Sequence, residues 1–316
     1  AIRGDFQQAE KIASSVITIC TDLVEKPTEY PYWILCSMAI AGLILKNYED
    51  SLSYFTSAAK TVEKDYGEIL SAKKETLLVM TYLSVPLDFH KKIIAQFKLP
   101  RVSVFTGHML DAPDRPQPRF PGNIETDIKN ELISVLKNTH IDIGYASAAS
   151  GSDIIFHEAI HEIGGESYVI LPYEKEQFKK DTLSYLSSND WENRFDRVLK
   201  NAKDVIVVSR QKMDYGSISY EFTNQVLYGA AKSTAIYFGT EIRPVAVWDG
   251  NSGDGPGGTA DLVKLWKTAG QQVTVIDTKQ FLDKKKISSV HTHSHKKDRK
   301  SKDKPIRKGF GKPKIR

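Results

Sequence analysis

After residue 100 the chain carries six short, largely β-branched apolar runs: "RVSVFTG", "IDIGYAS", "SYVILP", "DVIVVS", "IRPVAVWDG" and "QVTVID". Each is nearly continuous in its hydrophobicity rather than alternating, which suits strands buried on both faces of a parallel sheet. Helical stretches separate them, at 125–136, 152–163, 177–202, 220–237 and 260–269. Parallel neighbours need crossover connections, and helices supply them. The alternation therefore predicts an α/β fold: a doubly wound, mostly parallel, Rossmann-like sheet over residues 101–278.

The first 92 residues have a different period. In "GDFQQAEKIASSVITIC" the apolar residues Phe6, Ala9, Ile12, Ala13, Val16 and Ile17 follow helical spacing. Further on, Leu35, Ala39 and Gly42, then Tyr48, Ser51, Phe55 and Ala58, follow the spacing of a tetratricopeptide repeat. In such a repeat small residues let two antiparallel helices approach and aromatics fill the gaps. "GDFQQAE" and "KNYEDSL" read as the same point in successive repeats, yet Phe6 and Tyr48 are 42 residues apart, longer than the usual period of about 34. An N-terminal all-α domain of helical repeats over 1–92 is expected, with a generic helical bundle as the alternative. A third hairpin is expected from Tyr66 to Leu83, and a hinge near 85–100.

Composition matters mainly for the other end. Residues 284–316 hold fourteen Lys or Arg against two Asp, a net +12, so in a chain of net charge +5 the remainder carries −7. The basic tail has almost no apolar content and is expected to be disordered. Its cations could hold nucleic acid weakly and non-specifically, but Phe310 is its only aromatic, so base stacking is not supported. The two cysteines, Cys20 and Cys36, make no disulfide framework. No apolar run is long enough to span a bilayer, and no Lys/Arg-led signal peptide opens the chain. A cytoplasmic protein is expected, one that begins at Ala1 as a fragment or trimmed product.

In open α/β sheets ligands gather beyond the carboxyl ends of the strands. Three of those ends are rich in small and polar residues. The first turn has Thr106, Gly107 and His108, followed by a proline-rich loop with Asp114, Arg115 and Arg119. The second, "YASAASGSD", offers Ser147, Ser150, Gly151 and Ser152 at a helix start, the components of a phosphate cradle. After the fifth strand, "WDGNSGDGPGGTAD" has Asp249 and then five glycines within ten residues, among them Gly257 and Gly258 ahead of Thr259. Three such loops on one sheet edge point to a shared ligand site. The GxGxxG dinucleotide fingerprint and the Walker pattern GxxxxGK[ST] are both read as absent. An ordinary NAD(P) dehydrogenase and a P-loop NTPase are therefore unsupported.

These loops resemble the SLOG superfamily of Rossmann-like domains, related to the LOG phosphoribohydrolases and to DprA. The stretches that carry the likeness are "VFTGHMLDAPDRPQPRFP", "IGYASAASGSDIIFHEAIHEIGGESYVILP" and "AVWDGNSGDGPGGTADLVKLWKTAG". The resemblance covers residues 101–278 and looks closest to a branch in which the domain follows tetratricopeptide-like helices. It implies a nucleotide or nucleotide-derived ligand and no required cofactor. Some members of the superfamily hydrolyse nucleotides and others act as sensors. The LOG enzymes carry a PGGxGTxxE stretch whose Glu works on the glycosidic bond. Here Pro256, Gly257, Gly258 and Thr259 match its start, but the following Gly and Glu are missing, and Asp261 is displaced.

One further motif invites a zinc reading. His157-Glu158-Ala159-Ile160-His161 spells HExxH, whose two histidines can reach one zinc ion from a helix face. A third ligand is lacking: Ser167 stands where an HExxHxxGxxH continuation needs its last His, and a strand follows at once. The two histidines, with Glu158 and Glu162, are expected on a solvated polar helix face. No metal is expected there, nor a functional one at His291, His293 and His295 in the tail.

The leading expectation is a signalling sensor that binds a nucleotide-derived molecule in its Rossmann-like domain and a partner protein through its helical repeats. The alternatives are a nucleotide N-glycosidic hydrolase, with Glu158, Glu221 or Asp249 as its carboxylates, and a scaffold acting through the repeats alone.

Overall fold

The computed structural model describes residues 4–24, 26, 30–186, 190–213, 217–252 and 255–283. The basic tail with its three histidines lies outside the described residues. Two compact units are present, one drawn from residues up to Pro100 together with Ile236–Thr240, the other from Arg101–Ala235 and the chain from Glu241 on.

The first unit contains helices α1 (Phe6–Val24), α2 (Pro31–Ile44), α3 (Tyr48–Thr61), α4 (Tyr66–Leu83) and α5 (Leu87–Ile94). Pro31 opens α2, where its missing N–H costs nothing. The α2/α3 pair is close because its contact is small: a Cβ on Gly42 would lie 3.2 Å from that of Ser51. Ser51 Oγ donates to the Ala39 carbonyl at 2.7 Å. Phe55 and Ala58 are buried in the same seam. The hairpin expected over Tyr66–Leu83 is instead one unbroken helix. Asp65 caps its start by accepting the Glu68 amide, no Pro interrupts the sequence, and the chain turns only at Ser84, in the left-handed region, two residues before Pro86. Cys20 and Cys36 are buried free thiols. Burial pushes the Cys36 thiol up to about 11.

The second unit is built on six parallel strands: β1 (Arg101–Gly107), β2 (Ile141–Ala146), β3 (Glu166–Leu171), β4 (Asp204–Val207), β5 (Ile242–Trp248) and β6 (Thr274–Asp277). They lie in the order β4-β3-β2-β1-β5-β6. Connecting helices are α6 (Glu125–Asn138), α7 (Ser152–Glu162), α8 (Lys175–Leu183), α9 (Asp190–Asn201), α10 (Ile218–Phe238) and α11 (Thr259–Thr268). All six apolar runs form strands. Burial on both faces holds for β1, β2 and β5, whereas the edge strands β4 and β6 are largely exposed, because each has a neighbour on one side only.

Successive residues of a strand point to opposite faces, and β2 shows which helices cover each. Tyr145 bonds through its hydroxyl to Thr234 Oγ1 of α10 at 2.8 Å. Its neighbour Gly144 faces α7, where an added Cβ would sit 2.8 Å from both Ile160 Cγ1 and Phe156 Cζ. Helices α7 and α10 therefore lie on opposite faces of a doubly wound sheet. Phe156 also stacks on Phe105 of β1, centroids 4.3 Å apart. This contact leaves no spare volume. Gly144→Ala is expected to lower stability by about 1–3 kcal/mol in urea unfolding; an unchanged midpoint would mean that α7 does not press on β2.

Strand β1 leads outward to β2, while β5 leads the other way to β6. Their carboxyl-end loops diverge, and a crevice opens between them.

Candidate functional site

At that switch point lies a cavity of about 530 Å³, within the roughly 300–1,000 Å³ of small-molecule sites. Five chain segments wall it. From β1 and its loop come Thr106, Gly107, His108, Asp111, Arg115 and Arg119. Ser147, Ala149 and Asp153 follow from β2 and the first turn of α7. Helix α8 and the turn after it supply Phe178, Asp181 and Tyr185, and α10 supplies Tyr220, Thr223 and Asn224. The glycine-rich loop closes the ring with residues 255–259.

The β1 and β5 ends are joined by a buried polar pair. His108 Nε2 lies 3.1 Å from Asp249 Oδ1 and 3.1 Å from the Asp249 amide nitrogen. Burial lowers the pKa of His108 against the pull of Asp249 and so favours the neutral ring. For Asp249, burial works against ionisation, but it is outweighed by the Asn251 amides and by His108, and the pKa is lowered. Arg119 spans the same gap: Nε is 3.5 Å from Asp249 Oδ2, and Nη2 donates to the Ser252 carbonyl at 2.9 Å. Asp111, not singled out from sequence, organises the proline-rich loop. Its Oδ2 accepts the Arg119 and Phe120 amides at 2.8 and 2.9 Å, while Oδ1 is 3.5 Å from Arg115 Nε.

The serine-rich start of α7 serves another purpose than a cradle in this arrangement. Ser152 donates to the His108 carbonyl through both its amide, at 3.1 Å, and its hydroxyl, at 2.7 Å. Ser150 bonds to Tyr185, whose hydroxyl donates to the Leu110 carbonyl at 2.8 Å. Gly151, at φ +87°, passes so near Leu110 that a Cβ would come within 2.5 Å of its nitrogen. Ser150, Gly151 and Ser152 thus clamp α7 to the β1 turn and stand behind the cavity wall. Gly107 must lack a side chain for the same reason, since a Cβ would collide with Ser152 Oγ.

Gly257, Gly258 and Thr259 do line the cavity. Gly257 has φ +82° and presses on Tyr220, and its carbonyl accepts from Asn224 Nδ2 at 2.9 Å. The expected absence of GxGxxG is corrected here, since residues 253–258 spell it. It is not the fingerprint turn: it follows β5 rather than β1, and ten residues lie between Trp248 and Thr259. The fingerprint needs its first glycine in the tight turn beside the strand.

Of the three carboxylates considered for hydrolysis, none lines the cavity. Asp249 stands behind the wall residue His108. Glu158 is held by Arg194, whose Nε and Nη2 donate to its two oxygens, each at 2.8 Å. Glu221 is exposed and bonded to Ser217. Three other carboxylates do enter the wall, Asp111, Asp181 and Asp153, and of these Asp153 is only 9 % exposed. Burial pushes its pKa from the usual carboxylate range to about 7, against one stabilising hydrogen bond from the Ala149 amide at 3.2 Å. Sequence spacing marks it only as a first-turn helix residue; its desolvation is a tertiary effect. At the far side Tyr173 donates to Asp181, which also pairs with Lys212, each at 2.8 Å.

The HExxH segment corrects one expectation. His157 is fully buried rather than solvated, because α7 is enclosed by the sheet, α6 and α9. Its Nε2 is 2.8 Å from the Ser147 carbonyl, and burial lowers its pKa to about 4. His161 bonds to Ser167 Oγ at 2.9 Å.

Among the described residues no helix is long and apolar enough to cross a membrane. No family model matches the chain, and no curated protein matches it.

Proposed function

We propose that the α/β unit binds a phosphate-bearing, nucleotide-derived small molecule, and that the helices before it act as tetratricopeptide-like repeats that pass the bound state to a partner protein. The observation that carries the reading is one cavity at the sheet's switch point that gathers Arg115, Arg119 and a glycine-rich loop opening α11. Guanidinium groups and exposed backbone amides are the usual partners of phosphate oxygens. The opposite wall offers Phe178, Tyr185, Tyr220 and Asn224, a mixture of rings and amide suited to a base. Sensing is favoured over hydrolysis because Glu158, Glu221 and Asp249, the carboxylates considered for that step, all stand outside the wall.

A thermal-shift series with AMP, cyclic AMP, NAD and ADP-ribose, with free base measured in parallel, tests the reading. A ligand at a hundred times its Kd stabilises the native state by about 2.7 kcal/mol. A shift without base release is the expected result, and Arg115→Ala should weaken that binding about tenfold or more, since a charge-assisted hydrogen bond is lost. Base release would make the protein a hydrolase. No shift with any of the four would leave the helical unit as the working part.

A further inference from the structure

Asp153 is an unusual wall residue for a site that takes anions. Its carboxyl is enclosed at the first turn of α7 and accepts a single hydrogen bond, from the Ala149 amide to Oδ2. Among the described residues no cation lies within ion-pair distance of it. The two arginines of the cavity pair elsewhere, Arg115 with Asp111 and Arg119 with Asp249. A carboxylate so placed would repel an anionic ligand, whereas the acid form would offer that ligand a hydrogen-bond donor. We propose that Asp153 meets its ligand as a carboxylic acid, donating its proton to an acceptor on a bound phosphoester anion, so that capture weakens as the medium turns alkaline. The inference rests on the nucleotide reading above and adds to it the residue that makes binding depend on pH.

The surrounding groups leave this role to Asp153. Helix α7 contributes His157, one turn on, which is buried and neutral. The β1 turn contributes His108, whose charged form burial also disfavours, and its loop contributes Asp111 with the two arginines. The α8 side presents Asp181, kept ionised by Lys212 and Tyr173, and the Tyr185 hydroxyl, whose pKa burial raises. Helix α10 presents Tyr220. The start of α7 favours a negative charge on Asp153 through its dipole, but loss of water outweighs that, and protonation persists to about pH 7.

Two readouts on the full chain test the proposal. The first needs no ligand: the side-chain carboxyl carbon of Asp153 is followed by NMR against pH, with Asp153→Asn assigning the resonance. A midpoint near 7 is expected, and one in the ordinary carboxylate range, near 3.8, would overturn the idea. The second is calorimetric titration with cyclic AMP, whose phosphodiester keeps one negative charge across the range. Going from about pH 6 to about pH 8 should weaken its binding about tenfold in the native protein. In Asp153→Asn, whose amide donates at any pH, the affinity should be level. Binding equal at both pH values in the native protein overturns this inference and leaves the nucleotide reading standing. Absence of binding at either pH overturns both for this ligand class.

Discussion

Arg194→Ala is expected to lower the stability of the α/β unit by about 3–5 kcal/mol, the usual consequence of removing one member of a buried ion pair. Arg194 is 7 % exposed. It forks onto both oxygens of Glu158 on α7, reaches Glu125 Oε1 of α6 at 2.6 Å, and stacks 3.9 Å above the Trp191 ring. Burial disfavours its charge, but Glu158 and Glu125 more than compensate and raise its pKa. Without it, two half-buried carboxylates face each other with no countercharge where three helices meet. Lysine restores charge but not the planar fork, so Arg194→Lys should fall between the two. Urea unfolding at neutral pH measures both variants; a loss below about 1 kcal/mol for alanine would place the pair among ordinary surface contacts. The same series decides what Glu158 does. Glu158→Gln should lose stability while leaving any nucleotide-induced thermal shift intact, and the reverse would return Glu158 to the reacting groups.

The second large effect is a pair of opposing pH dependences inside α7. Asp153 holds its proton to about pH 7 when folded, against 3.8 for the free carboxyl. The folded state therefore binds more protons between those values, and stability from this group falls as pH rises through that window. At about 1.36 kcal/mol per pH unit the loss approaches about 4 kcal/mol. His157 does the reverse. Its pKa falls from 6.5 to about 4, so its contribution is complete above 6.5 and is lost as pH drops towards 4, by about 3 kcal/mol. Its buried Nδ1 has no hydrogen-bond partner, and a proton placed there would be unsatisfied. Between pH 4 and 6.5 the two slopes nearly cancel in the native protein. Asp153→Asn should therefore be more stable than the native protein near pH 8, by about 2–4 kcal/mol, and should show stability that climbs steeply from pH 4 to 6.5. His157→Gln should leave the falling slope of Asp153. Parallel unfolding curves for all three proteins across that range would refute both assignments.

The alternation of apolar runs and helical stretches was enough to define the parallel sheet, because buried strands need continuous hydrophobicity and crossovers need helices. Spacing also identified the close α2/α3 approach, since Gly42 and Ser51 are small where the two helices touch. The loops that ring the cavity were readable through their glycines, serines and arginines, and Thr106, Gly107, His108, Arg115, Arg119, Ser147, Gly257, Gly258 and Thr259 all stand in its wall.

Local sequence could not assign roles within that ring. Ser150–Ser152 have the letters of a phosphate cradle, yet Ser152 spends its amide and hydroxyl on the His108 carbonyl of the β1 turn, 44 residues away, and the Ser150 hydroxyl bonds to Tyr185. His157 and Asp153 look like polar helix positions, and burial beneath the sheet makes one a neutral base and the other an acid near pH 7. Tyr220 and Asn224 lie on α10, and Tyr185 in the turn after α8, where local pattern says nothing about a ligand. Periodicity and turn chemistry are properties of neighbours in sequence, so the sequence by itself determined the strands, the helices and the edge at which a site would form. Desolvation and distant hydrogen bonds depend on which segments meet, so only the tertiary structure decided which polar groups hold the fold and which face the cavity.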